Sequence, residues 1–344
     1  MDPVSQAVLG ASLSQSFAPD RRRQRAALVT GMLAGMAPDL DVLIRSGTDP
    51  LLFLEYHRQF THSLLFIPVG ALICALAFYP FARGRLGWRE LYLYSFLGYA
   101  THGLLDACTS YGTQLLWPFS NARVAWNVVS IVDPLFTLPL LVLVLLAVRR
   151  GQVWVARAAF AYAVVFLAMG LVQKQRAVDA MQALAAGRGH QVERYQVKPA
   201  FANRHLWRTL YEYDGAFHVD AFRLLARAEY IGGSRVPRLE LERDLPGLDP
   251  DSRQARDIER FRHFSAGYLA LSPDHPGLVM DVRYSFLPQA LTPLWGIEID
   301  PSPAAQARHV RFVTLRGLNA HVRRAFFDAL LGRETVSTGP GGVR

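Results

Sequence analysis

Six apolar segments, separated by short polar breaks, fill the first half of this chain. They cover residues about 4–18, 26–44, 63–81, 91–108, 132–148 and 154–173. Several approach the roughly 20 residues needed to cross a hydrocarbon core. The first is shorter and is expected to insert only in part. Past residue 173 the period changes. Residues 192–198 and 205–226 alternate as strands do, and Asp214-Gly215 sits between apolar runs as a hairpin turn. Residues 278–287, 294–300 and 309–315 also read as strands, and 251–271 and 317–331 as helices. His205 and His218 fall on the two arms of one predicted hairpin and read as structural. The pattern therefore predicts a mainly α polytopic membrane helical bundle of about six apolar helices, residues 1–173. A soluble α+β domain, 174–334, follows, with a Gly-rich disordered tail at 335–344.

Composition agrees with that division. Hydrophobic residues make up 51% of the 344 and charged residues 19%, with most of the charge after residue 173. The net charge of +9 raises nucleic acid as a partner. The arginines, however, flank the apolar segments, as in Arg21-Arg22-Arg23-Gln24-Arg25, Arg83-Gly84-Arg85 and Arg149-Arg150. No stacking or groove-reading motif accompanies them, so they read as topology-setting charge and no nucleic-acid partner is expected. Cys74 and Cys108 offer neither a disulfide nor a ligand pair at metal spacing. Met1-Asp2-Pro3 lacks the basic stretch of a cleavable signal peptide.

Basic loops face the cytoplasm. Loops 19–25, 82–90 and 149–157 are basic, and they alternate with the arginine-poor loops 45–61 and 109–131. Six crossings then place both termini on the outer face, although Lys174 and Arg176 run against that assignment. Four polar clusters fall on this same face: Pro38-Asp39-Leu40-Asp41, the run from His57 to His62, the run from Thr101 to Asp106, and Val132-Asp133-Pro134. All three histidines of the first half lie in them. Ionisable groups beside lipid-length apolar runs are costly, which makes them functional-site candidates.

Each cluster has a plainer reading. His102 and Asp106, four apart, share one face of a helix and suit zinc or manganese, or else stand as a terminal His and a capping Asp. His57 and His62 are five apart, so at least one lies on the loop entering the third segment. Asp39 and Asp41 repel each other unless a cation or donor is present, or else form an ordinary capped turn. Asp133-Pro134 reads equally as ligand or as an N-cap with proline at the first helical position. Arg58 could bind a phosphate-like anion or snorkel to headgroups. The loop from Thr109 to Ser120 could cover the site through Thr113 and Gln114, or anchor at the interface through Tyr111, Trp117 and Phe119.

Together these stretches resemble the YdjM-like family of inner-membrane, metal-dependent hydrolases. The matching residues are Met1-Asp2-Pro3-Val4-Ser5-Gln6, Pro38–Asp41, His57–Ser63, Thr101–Ser120 and Val132-Asp133-Pro134-Leu135, in order over about residues 1–150. The resemblance implies a polytopic helical protein with a His/Asp metal site. His102 and Asp106 are also similar to the His-x-x-x-Asp pair of zinc-dependent phospholipase C and nuclease folds. Three positions depart from the family pattern. Gln6 stands where histidine is common, Gln59 where glycine is, and Gly103 where proline is.

The resulting expectation is a multi-pass bacterial inner-membrane hydrolase. Its substrate is a phosphoester of a membrane lipid or lipid-linked molecule, and its active site and C-terminal domain lie on the periplasmic face. Metal ligands are His62, His102, Asp106 and Asp39 first, then His57 and Asp41. Asp133, or another non-ligating carboxylate, is the general base, and Arg58 the anion-binding group. The cofactor is a divalent metal, zinc before manganese. The competing expectation is a non-enzymatic scaffold whose metal staples the helices while residues 174–344 bind a partner. A transporter or proton relay ranks below both, because the ionisable groups gather at one depth.

Overall fold

The computed structural model describes residues 1–315, 317 and 319–333. The predicted tail, 335–344, lies outside the described residues. Each apolar segment is helical: α1 (Pro3–Gln15), α2 (Arg21–Met36), α4 (Ile67–Ala82), α5 (Trp88–Cys108), α6 (Pro134–Arg150) and α7 (Val153–Gly187), with a short α3 (Leu52–Tyr56) between α2 and α4. Among the described residues, three stretches are long and apolar enough to cross a membrane: Arg21–Leu43, Leu64–Ala82 and Val153–Gly187. On the second of these Leu65, Val69, Leu72, Ile73 and Leu76 are exposed, the surface expected of a helix that is apolar all round.

The helix ends follow local chemistry. Asp2 and Asp133 each accept two backbone amides from the first turn of α1 and α6, where Pro3 and Pro134 have no amide to satisfy. Gly151 closes α6 in the left-handed conformation. α7 runs on well past residue 173, where its apolar stretch was expected to end.

The chain divides into two compact units, Met1–Lys174 with Phe201–Arg204, and Gln175–Ala200 with His205–Arg344. In the first, α1, α2 and α5 cross at glycines. A Cβ on Gly31 would meet the Gly10 carbonyl at 2.7 Å, and one on Gly98 would meet the Gly31 carbonyl at 2.6 Å. Such small-residue crossings let helix backbones touch without a hydrophobic driving force. Beside them Val8, Leu9, Leu105, Phe136, Leu140, Val144 and Phe166 form the main apolar core.

The second unit holds two four-stranded antiparallel sheets, ordered β1-β2-β3-β4 and β5-β6-β7-β8. The first comprises β1 (Arg194–Pro199), β2 (Leu206–Tyr213), β3 (Ala216–Leu224) and β4 (Ala228–Pro237). The second comprises β5 (Leu269–Leu271), β6 (Leu278–Asp281), β7 (Trp295–Glu298) and β8 (Arg311–Thr314). Helices α8 (Leu241–Asp244), α9 (Arg253–Phe264), α10 (Pro303–Gln306) and α11 (Ala320–Leu331) complete it. Asp214 and Gly215 both have positive φ, as a tight hairpin turn requires. The late residues of α7, Ala177, Val178, Met181 and Ala185, pack on Trp207, Tyr211 and Phe222 of the first sheet. Two expectations need correction. Residues 251–271 are not one helix, because α9 stops at Phe264 and 269–271 is strand β5. Strand β4 was not anticipated, since Gly232 and Gly233 interrupt its alternation. His218 lies opposite Tyr211, while His205 precedes β2.

Candidate metal centre

Three pieces of chain deliver the polar clusters to one place. After α2 the backbone tightens into a 3-10 turn, Ala37–Leu43, in which Pro38 supplies no amide for a continuing α-helix. That turn carries Asp39 and Asp41. The chain reverses at Arg58, whose φ is +64°, and a second 3-10 turn, Phe60–His62, places His62. His102 and Asp106 come one turn apart from the C-terminal part of α5. His62 can lie against α5 only because residue 103 has no side chain: a Cβ on Gly103 would meet the His62 carbonyl at 2.3 Å.

Asp39, His62, His102 and Asp106 each offer one ligand atom, and these atoms lie within 4.8 Å of one another. The two imidazole Nε2 atoms are 3.0 Å apart. Asp39 Oδ1 is 3.3 Å from His102 Nε2 and 3.5 Å from His62 Nε2. Asp106 Oδ2 is 3.3 Å and 3.8 Å from His62 and His102 Nε2 respectively. Donors on a tetrahedral ion with bonds of about 2.0–2.2 Å lie about 3.3–3.6 Å apart, close to these separations.

The hydrogen bonds fix which nitrogen faces inward. His102 Nδ1 donates to the Gly35 carbonyl at 2.6 Å. The Thr61 hydroxyl donates to Asp41 Oδ2 at 3.0 Å, so its lone pair accepts from His62 Nδ1 at 2.9 Å. Both rings therefore carry their proton on Nδ1 and turn lone pairs on Nε2 towards each other. Two facing lone pairs at 3.0 Å repel unless a cation lies between them. Outer partners of this kind orient and sharpen metal-bound histidines. Burial lowers the His62 pKa, but Asp106, Asp39 and Asp41 outweigh it and raise it to about 10, so without a metal a proton would take the inward Nε2, and the position between the rings draws a cation. The donor set thus fits a divalent cation, with two nitrogens and two carboxylates suiting zinc first.

The other expected residues take different places. Asp41 and His57 form a separate pair, His57 Nδ1 to Asp41 Oδ1 at 2.7 Å, and join Asp39 in a second ligand group. His57 is half-buried beside Tyr111. Arg58 is buried rather than snorkelling. Its Nε lies 2.9 Å from Asp106 Oδ2, its Nη1 donates to Thr109 Oγ1 at 3.0 Å, and its guanidinium lies over the Tyr111 ring. Asp133 spends Oδ1 on the Leu135 and Phe136 amides that open α6, and belongs to neither ligand group. Gln114 ties its loop down through its backbone N–H, which donates to the Arg58 carbonyl at 2.9 Å.

Sequence reasoning left Gln6 open. It is fully buried and donates to Asp106 Oδ1 at 2.8 Å, so it orients a ligand where a histidine would reach for the ion. The Met1 amine also contacts Asp106 Oδ1. The Gly35 carbonyl and the Thr61 hydroxyl were missed. A backbone carbonyl has no residue-type signature, whereas Thr61 could have been suspected from its place beside His62.

Residues 1–177, just over half the chain, match the family described as YdjM inner membrane protein. Over 127 residues, 36% of this chain and 69% of the relative, the sequence is 32% identical to the inner membrane protein YbcI of Escherichia coli (strain K12). Over 140 residues, 39% of this chain, it is 26% identical to the uncharacterized protein YfhP of Bacillus subtilis (strain 168), of which the match spans 42%. No solved structure matches the chain significantly. The matched region contains every residue of the cluster, and this chain belongs to the YdjM inner membrane protein family.

Proposed function

We propose that this protein is a multi-pass membrane hydrolase. On this reading its His/Asp cluster would hold a divalent metal, and the substrate is a phosphoester of a lipid or lipid-linked molecule. The arginine distribution supports six crossings, with the site and the C-terminal unit on the periplasmic face. The observation that carries the reading is the pair of inward-facing Nε2 lone pairs of His62 and His102, flanked by Asp39 and Asp106.

In this mechanism Asp39, His62, His102 and Asp106 would hold the ion. When bound, it would supply Lewis acidity and lower the pKa of its water towards about 7. Arg58, Gln6 and the Thr61–Asp41 link act as positioning groups, because each holds a ligand and is itself held. The proton-carrying role passes from Asp133 to His57. Asp133 is committed to capping α6, whereas Asp41 orients the half-buried His57 ring through Nδ1 and leaves Nε2 to accept or return a proton.

One observation favours the scaffold reading. Four side-chain donors would complete a tetrahedral shell, and catalytic zinc keeps an open position. The two readings separate in detergent-purified protein assayed for bound metal and for hydrolysis of phospholipids and lipid diphosphates. Wild type is expected to carry about one equivalent of metal and to hydrolyse one substrate class. His102→Ala should lose both, and His57→Ala should keep the metal and lose turnover. Metal-loaded wild type that hydrolyses nothing would leave the scaffold reading standing, and metal-free wild type after reloading would remove both.

A further inference from the structure

A groove of about 980 Å³ lies between the start of α2 and the end of α4. Four arginines line it: Arg21, Arg22, Arg25 and Arg85. Below them the wall is apolar, and Val29, Leu33 and Phe81 are 55%, 43% and 83% exposed. Both helices belong to stretches long and apolar enough to cross a membrane. α2 rises about 1.5 Å per residue, so Arg21 and Arg25 stand about 22 and about 16 Å from Met36, beyond which the chain leads into Asp39. The arginine end of the groove is therefore separate from the metal centre.

The charges are arranged for an anion. Arg23, in the same run, pairs with Asp20 at 2.8 Å and Glu90 at 2.6 Å. Among the described residues, none of the four groove arginines has a carboxylate partner. Arg22 is held instead by a bond from Nη2 to the Gly84 carbonyl at 2.9 Å. Arg21, Arg22 and Arg25 also crowd the first turns of α2, where the macrodipole disfavours cations. Topology alone asks for basic residues near a membrane face. It does not ask for unpaired guanidinium groups to converge on a cavity floored by exposed apolar side chains.

We propose that this groove is a binding site for an anionic phospholipid, whose phosphate is held by Arg21, Arg22, Arg25 and Arg85 and whose acyl chain lies along Val29, Leu33 and Phe81. Guanidinium groups match phosphate oxygens in paired hydrogen bonds, and basic pockets between membrane helices suit such headgroups. A free anion would leave the apolar floor uncovered, so the lipid is the better occupant.

The test is native mass spectrometry of the full chain in detergent, titrated with phosphatidylglycerol and with phosphatidylcholine of the same acyl chains. Phosphatidylglycerol should bind about tenfold or more tightly than phosphatidylcholine. Arg21→Gln/Arg25→Gln/Arg85→Gln should abolish that preference. Arg45→Gln/Arg227→Gln/Arg256→Gln, which removes the same charge elsewhere, should preserve it. Equal binding of the two lipids, equal loss in both variants, or displacement by inorganic phosphate at lipid concentration would overturn the proposal. Should the first variant fail to fold, Val29→Trp, which fills the floor and spares the arginines, must weaken phosphatidylglycerol binding. Unchanged binding there would also overturn it.

Discussion

Both units bury charge, but they treat it differently. In the C-terminal unit Asp281 is paired with Arg283 at 2.6 Å, and Arg283 also donates to the Phe264 carbonyl at 3.0 Å. Arg208 donates to the Pro288, Ala290 and Val282 carbonyls at 2.8, 2.8 and 2.6 Å. There protein oxygens meet the charge, apart from the buried Arg208 Nε, which has no partner among the described residues. In the N-terminal unit the partners of His62 and His102 occupy Nδ1 and leave both Nε2 atoms pointing at each other beside two carboxylates. Burial of charge does not by itself mark a site. Convergent lone pairs that the protein leaves unmatched do.

The sharpest way to break this comparison is to remove one charge from the matched network. Asp281→Ala leaves Arg283 buried without its counter-ion, and losing one partner of a buried pair costs about 3–5 kcal/mol. Unfolding of the full protein should show that loss while its metal content stays at the wild-type value. Loss of metal in this variant would mean that the C-terminal network supports the centre as well as its own unit.

This contrast also explains what the sequence revealed. The residues of the cluster were legible because polar residues at the ends of apolar segments are conspicuous, and the arginine pattern put Asp39, His62, His102 and Asp106 at one expected face. The division between the two ligand groups was not legible. It depends on the reversal at Arg58, whose positive φ no local signal announces. Asp133 was ambiguous for a physical reason, since an N-cap and a ligand both need a carboxylate before an apolar helix. Strand β4 escaped because its paired glycines weaken the alternation, and its pairing with β3 is a tertiary effect.

A second prediction concerns packing that touches no ligand. A Cβ on Gly31 would meet Ser14 Oγ at 2.5 Å and the Gly10 carbonyl at 2.7 Å, so Gly31→Val must push α2 away from α1. Overpacking of this kind costs about 1–3 kcal/mol. One turn further along α2, the Gly35 carbonyl orients His102. Its displacement should weaken metal retention about 10- to 100-fold, the usual range for losing an outer partner. Competition with a chelator measures this directly. Gly47→Ala, where a Cβ would meet nothing within 4 Å, should leave retention unchanged. Lost stability with undiminished retention would show that the helix crossing does not tune the centre.

The smallest effect lies in the C-terminal unit, at a histidine that should not be mistaken for a ligand. His218 stacks on Tyr211 with ring centroids 4.9 Å apart, near His190 and opposite Arg235 in the sheet. Burial first, then His190, Arg235 and Arg188, lower its pKa to about 4, although Asp220 pulls the other way. The unfolded ring takes up its proton near about 6.5, so the unfolded state binds more protons between these values. Its contribution to stability is fully present above that pH and is lost as pH falls towards about 4. His218→Phe keeps an aromatic ring on Tyr211 and removes the titration. Between pH 7 and 5 the melting temperature of wild type should fall further than that of the variant, by a few degrees at most. Both proteins share the same His/Asp cluster, so its own acid sensitivity cancels in the difference. Parallel pH profiles would mean that His218 is as solvated in the folded protein as in the unfolded chain.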